Sequence, residues 1–220
     1  MFNAAIAQFS ARSEPLRTTV TDATTISLGE LAQMLAVGDL IFIRVPFAPF
    51  RKIAAATGSW TNHVGVVVDI GASGPVIGES KFPFSRISSL HNFVGRSQHG
   101  RVAVSRLTTV ITEEQRRRLL HATTRRLGVL YDTGFNLRSH RQFCSRFVRE
   151  VIGESTGILI GEVESFGTLL SRRPDTDLRF WTAWYFGRIP WSRETISPAS
   201  LLTSANLESV FDGNAGLAAS

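Results

Sequence analysis

At 220 residues and 43% hydrophobic, the chain can bury roughly 70% of its unfolded surface in one domain without disulfide or metal support. Its single cysteine excludes an internal disulfide and any cysteine-rich zinc or iron–sulfur site, and no apolar run approaches the ~20 residues of a bilayer span. The net charge is +6, with only Lys52 and Lys81 as lysines. Nucleic acid, anionic lipid or an acidic substrate would feel such a field, and arginines on solvated helix faces are the simpler account. The first ten residues, MFNAAIAQFS, lack the charged start and continuous apolar run of a secretory signal. A cytoplasmic, reducing setting is the expectation.

Residues 1–24 show no periodicity and read as a poorly ordered arm. Ser27-Leu28-Gly29-Glu30 is a capping box that predicts a helix over 28–36. The run 40–45 (LIFIRV) predicts a buried strand, ended by Pro46. A long connection follows to Asn62, with room for a short helix over 51–56. Segments 63–70 (HVGVVVDI) and 75–80 (PVIGES) flank a Gly-rich turn, which predicts a hairpin and an antiparallel sheet. Residues 101–107 (RVAVSRL) alternate as a further strand. Thr112 and Gln115 open an Arg-rich helix that runs to about Leu127. Phe143, Phe147, Val148, Val151 and Ile152 form one apolar stripe of a helix over 143–152, with Gly153 as its stop. An aromatic segment at 180–191 and a Ser197-Pro198 helix start come next. A flexible tail is expected from 212 to 220, leaving 25–211 as the domain.

Cys144 falls in the first turn of a predicted helix. Free backbone N–H groups and the helix dipole favour a thiolate there, and Arg141 and Arg146 add nearby charge. The same N–H groups suit an oxyanion. A small buried core residue is the competing account. A thiol nucleophile needs a base, and five histidines compete. His63 opens the strongest strand and can stand at the sheet rim. His140 is the main rival, whereas His91, His99 and His121 read as surface or cap residues. Glu79 ends the strand paired with that of His63, so the hairpin can bring a carboxylate to the imidazole.

The order His63, Glu79, Cys144 inverts the papain order of Cys before His. Gly38-Asp39 leading into LIFIR, then Thr61-Asn62-His63-Val64-Gly65, Gly78-Glu79-Ser80, Tyr131-Asp132 and Phe143-Cys144-Ser145 resemble the permuted papain-like family. That family includes the bacterial YiiX, YaeF and YebB proteins and is related to NlpC-type cell-wall peptidases. YebB-like proteins are the nearest in this reading, over about 37–211. The resemblance implies an α+β fold: a circularly permuted papain-like domain with a small, mostly antiparallel sheet packed against helices and the cysteine at a helix N-terminus. It implies Cys144 as nucleophile, His63 as base and Glu79 as the orienting group, with Tyr131 as a substrate-lining aromatic.

The leading expectation is therefore hydrolysis of a peptide or other amide bond through an acyl-thioester, without cofactor. Trp60, Asn62 and the 46–61 connection would wall the cleft and contact substrate. Permuted relatives also include lecithin:retinol acyltransferase-like lipid enzymes, so an acyltransferase or lipid hydrolase at the same site is the second reading. It would bring weak contact with an anionic membrane surface, although no long basic amphipathic helix supports this. A basic binding module using residues 116–126 is the third, but that helix lacks base-stacking aromatics, so specific nucleic acid is not expected. No HExxH or paired-His spacing points to a metal hydrolase.

Overall fold

The computed structural model describes residues 24–216. Of the arm expected over 1–24, all but Thr24 lies outside the described residues, as do residues 217–220. The chain opens with β1 (Thr25–Ser27), α1 (Leu28–Met34), β2 (Leu40–Ile43) and α2 (Ala48–Thr57). It continues through β3 (His63–Gly71), β4 (Gly74–Ser80), β5 (Ser85–Ser89), α3 (Leu90–Val94) and β6 (Arg101–Leu107). Two long helices follow, α4 (Glu113–Thr124) and α5 (Cys144–Thr156), and then β7 (Glu164–Ser165), α6 (Phe166–Ser171) and α7 (Leu178–Trp184). The last elements are β8 (Glu194–Thr195), α8 (Pro198–Leu202) and β9 (Leu207–Gly216).

Local chemistry explains the helix starts. Glu30 N–H donates to Ser27 Oγ at 3.1 Å while the Glu30 carboxylate accepts from Ser27 N–H at 2.7 Å. Thr112 and Gln115 repeat the exchange at α4. Each pair satisfies two donors that the first helical turn leaves open. The α5 helix runs through Gly153, the expected stop, and ends at Gly157, where φ is +79°. A left-handed residue suits glycine, and an interior glycine costs a helix only about 1 kcal/mol.

Seven strands form one sheet in the order β1-β9-β6-β2-β3-β4-β5. Only β1 and β9 pair in parallel; every other pairing in it is antiparallel. One face (Leu40, Phe42, Val64, Val66) packs on Leu119 of α4 and on Phe147, Val148 and Val151 of α5. The other (Ile41, Ile43, Val67, Ile77) packs on Leu31 of α1 and Phe93 of α3. Both faces of β3 are covered, which is why its sequence is continuously apolar instead of alternating. A third cluster joins Ala56 of α2 to Phe166, Leu169, Leu170 and Trp181 of α6 and α7.

Two readings of the sequence need correction. The tail expected from 212 fails for residues 212–216, which form the end of β9 between β6 and β1, with Asn214 opposite both Arg101 and Thr25. A Cβ at Gly213 would run into the Thr24 carbonyl, so this glycine permits close backbone approach and does not mark a loose end. Residues 85–94 had no predicted element, yet they form β5 and α3. The polar SRISS run takes its order from ladder bonds to β4, not from its own pattern. The sheet is accordingly larger than expected.

The arginines of the α4 region are ion-paired. Arg116 pairs with Glu113, Arg117 and Arg118 with Glu114, and Arg125 and Arg126 with Glu154 of α5. No helix among the described residues is long and apolar enough to cross a membrane.

Candidate active site

Cys144 is the first residue of α5, and the N-cap Phe143 offers no side-chain acceptor to the first-turn N–H groups. Those donors face the cysteine unspent. The loop before the helix is held firmly. Asp132 N–H donates to the Gln142 carbonyl at 2.7 Å and Gln142 N–H to the Leu130 carbonyl at 3.0 Å, which sets Tyr131 beside Gln142. Ser80 Oγ donates to the Gln142 carbonyl at 3.1 Å, tying the helix start to the end of β4. Arg146 does not serve the thiol, as its sequence position suggested. Its guanidinium binds Glu150 and the carbonyls of Ser139 and Arg141, bracing the loop. Arg141 itself is exposed.

His63 begins β3 at the sheet rim. The pairing of Val66 with Gly78 and Val67 with Ile77 puts Glu79 across from Gly65 and diagonal to His63 on the same face. A side chain at Gly65 would lie 2.6 Å from Ile77 and 2.8 Å from Phe93. Its absence lets Ile77 and Phe93 pack closely against β3, and His63 Nε2–H donates to Glu79 Oε2 at 2.6 Å. Glu79 is wholly buried and also accepts from Ser88 Oγ at 2.5 Å and from Arg96 Nη2 at 2.8 and 2.9 Å. With Nε2 committed to the carboxylate, the other ring nitrogen serves the hydrogen bond to the Cys144 thiol. Phe93 and Phe50 flank the ring, with centroids at 5.6 and 6.5 Å.

The electrostatics follow from this burial and pairing. Burial alone pushes the His63 imidazole toward neutrality, but Cys144 and then Glu79 outweigh it and hold its proton up to about 9. Burial likewise raises the Glu79 carboxyl, and His63, Arg96 and Ser88 reverse this and hold it near 2. For Cys144 burial favours the thiol, while His63 and the N–H groups of Val64 and Ser145 draw its pKa below the ordinary value. The balance favours a thiolate–imidazolium pair with an ionised carboxylate behind it.

Tyr131 is buried, and its hydroxyl makes no hydrogen bond of good geometry. It stands beside the Cys144 thiol and backbone N–H, and desolvation followed by the charge of Cys144 pushes its pKa well above the usual tyrosine value. Two cavities meet at this ring. A small one of about 30 Å³ touches Cys144, Ser145 and Ile196; a larger cleft of about 380 Å³ touches His63 and is walled by Phe47 and Phe50 of the α2 segment.

The structure brings His63, Glu79, Cys144 and Tyr131 together, sets Asn62 beside the small cavity at Cys144 and places Trp60 elsewhere. Asn62 is buried with both ends of its amide on the Val45 backbone, at 2.8 and 3.0 Å, so it clamps β2 to β3, and it lines the small cavity together with Cys144. Trp60 lies under the Arg101 guanidinium, 4.1 Å from the ring centroid, and borders a different surface hollow. His140 is exposed, as are His91, His99 and His121. Sequence reasoning missed Ser88, Phe93 and Arg96 around the carboxylate. They lie on β5, on α3 and just after it, in the segment with no readable periodicity.

The family model described as permuted papain-like amidase enzyme, YaeF/YiiX, C92 family, matches residues 34–211. A similar solved structure, described as metalloprotein yiiX from Escherichia coli O157:H7, has a TM-score of 0.72 at 23% identity. The match covers 81% of this chain and 98% of that one. This likeness shows the permuted papain-like fold. No curated protein matches the sequence.

Proposed function

The chain belongs to the YaeF/YiiX, C92 family of permuted papain-like amidases, and from that premise we propose that it is a cysteine hydrolase cleaving an amide bond through an acyl-thioester on Cys144. The observation that carries this is the buried chain of contacts from thiol to imidazole to carboxylate. The Cys144 thiolate attacks the substrate carbonyl, and its electrons move onto oxygen. The oxyanion is met by Cys144 N–H and by the unpartnered Tyr131 hydroxyl. Collapse expels the amine as His63 delivers its proton to the leaving nitrogen. His63 then takes a proton from water, which attacks the thioester and releases acid and thiolate. Glu79 keeps Nε2 protonated throughout, so the nitrogen facing Cys144 is always the one that exchanges protons.

The solved neighbour is described as a metalloprotein. The residues here do not fit a metal in the described part of the chain, where no group of three or more His, Cys, Asp or Glu could hold one. The Glu79 oxygens are taken by His63, Ser88 and Arg96, and a cation there would face the guanidinium. No step is routed through a metal.

Alkylation with intact-mass readout tests the reading. Iodoacetamide labels Cys144 faster than free cysteine at mildly acidic pH, and His63→Ala removes the advantage. Slow labelling that is indifferent to His63→Ala sinks the proposal.

A further inference from the structure

The large cleft lies on the imidazole side of the site. His63 and Tyr131 line it and Cys144 does not, while Cys144 lines the small cavity behind the same tyrosine. A general acid must reach the atom it protonates. On the proposed hydrolase reading, on which this inference rests, the large cleft therefore holds the amine half of the substrate. At about 380 Å³ it falls within the range of small-molecule sites.

Its walls are Val45, Phe47, Phe50, Phe82, Phe135 and Trp184, and the charged side chains among its lining besides the His63 imidazolium are Lys81 and Arg96. Phe47 and Phe82 are each 63% exposed, a large cost in water for rings that could cover an apolar ligand. Lys81 directly follows β4 and lines the cleft together with His63, so its charge faces the space that holds the amine half. The ammonium makes no hydrogen bond or ion pair among the described residues, and burial followed by Arg96 lowers its hold on its proton. The described bonds of Arg96 use Nε to the Asn92 carbonyl and Nη2 to Glu79, leaving Nη1 unspent. The Cys144 thiolate and Glu79 balance two of the three positive charges on His63, Arg96 and Lys81, which leaves one unneutralised at an apolar mouth.

We propose that this cleft is a leaving-group subsite for an apolar amine that bears an anionic group near the scissile nitrogen, with Lys81 and the free edge of Arg96 binding the anion. A carboxylate on an apolar amino acid and a phosphodiester on an amine-containing lipid share this chemistry. The alternative of an uncharged or cationic leaving group would leave Lys81 desolvated with no partner.

Equilibrium binding to the Cys144→Ala protein tests this without turnover. The probes are N-acetyl-L-phenylalanine, its neutral carboxamide, and the dodecyl phosphodiester of N-acetylethanolamine below its micellar concentration. Either anion should bind at least about tenfold tighter than the carboxamide, and Lys81→Met, which keeps the apolar stem, should erase that preference while leaving carboxamide binding unchanged. The tighter of the two anions identifies an amino acid or a lipid as the source, and both outcomes support the subsite. Equal binding of the carboxamide, or an anion preference that survives Lys81→Met, overturns it. Because Cys144 is absent from the assay, failure here leaves the alkylation test of the nucleophile untouched, and failed alkylation leaves this result standing.

Discussion

Replacing Glu79 with glutamine removes one charge from the site and nearly nothing from its shape. The imidazole ordinarily titrates near 6.5 and here holds its proton to about 9, a difference of roughly 3 kcal/mol at 1.36 kcal/mol per pH unit. Cys144 supplies the larger part of that support and Glu79 the smaller. Withdrawing the carboxylate should therefore cost the thiolate–imidazolium pair about 1 kcal/mol, or five- to tenfold in thiolate population near pH 6. A second effect adds to it. Arg96 Nη2 donates to both carboxylate oxygens, so wherever the amide NH₂ is placed it meets a donor, either Arg96 or His63. Placing it toward His63 would force the wrong tautomer, and the amide oxygen is expected on that side instead. Arg96 then loses its counter-charge. Its side chain is 24% exposed, so the stability loss should fall at or below the lower end of the roughly 3–5 kcal/mol seen when a buried pair is broken. The assay is the rate of iodoacetamide labelling of Cys144 against pH, with a thermal melt alongside. A Glu79→Gln protein that stays folded and labels at the wild-type rate at every pH would refute the reasoning.

Further outcomes follow from the same contacts. Tyr131→Phe deletes a hydroxyl that has no partner of good geometry, so the melt should move little while turnover on any amide substrate falls about 100-fold, the usual cost of one oxyanion donor; unchanged turnover removes Tyr131 from that role. The Glu79 carboxyl is depressed from 4.5 to about 2, so its stabilisation is complete above about 4.5 and is lost as pH falls toward 2. Acid melts should show a loss of roughly 3 kcal/mol over that window, and in Glu79→Gln that loss should be absent. His63 is shifted the other way, so its contribution is complete below 6.5 and lost as pH rises through about 9; labelling by a pH-insensitive electrophile should lose its dependence on His63 above that point. Gly65→Ala should destabilise by about 1–3 kcal/mol through collision with Ile77 and Phe93, as overpacking does. A melt unchanged from wild type would show that Ile77 and Phe93 can yield to the added methyl.

Much of the fold was legible because several segments carry their own signals. The exchanged hydrogen bonds at Ser27/Glu30 and Thr112/Gln115 are local, and each was visible as a four-residue pattern. The β3–β4 hairpin was readable from a Gly-rich turn between two apolar runs, and with it the meeting of His63 and Glu79. The stripe of Phe147, Val148 and Val151 marked the buried face of α5 and placed Cys144 at its start. Where the pattern was absent the reading stopped. The polar run of β5 and the Gly-Asn-Ala-Gly end of β9 become strands only because neighbouring strands supply their hydrogen bonds, and backbone pairing leaves no trace in side-chain periodicity. Trp60 and Asn62 were assigned to the cleft by nearness in sequence to His63, and of the two Asn62 lines the cavity at Cys144 while Trp60 borders a different hollow. Side chains alternate in direction along extended backbone, and these two turned to Arg101 and to Val45.

By itself the sequence singled out Cys144, His63 and Glu79 as candidates, through a lone cysteine at a predicted helix start, a hairpin that could bring His63 and Glu79 together, and a family resemblance. Only the tertiary structure decided how that carboxylate is charged and what lies beside it. Ser88 and Arg96 reach Glu79 from 9 and 17 residues away, Tyr131 reaches Cys144 from 13, and the apolar cleft is assembled from six separate stretches of chain. The physical reason is range: helix starts and hairpins are set by neighbours in the chain, whereas desolvation, pKa and pocket shape depend on every atom packed around a group, wherever the chain brings it from.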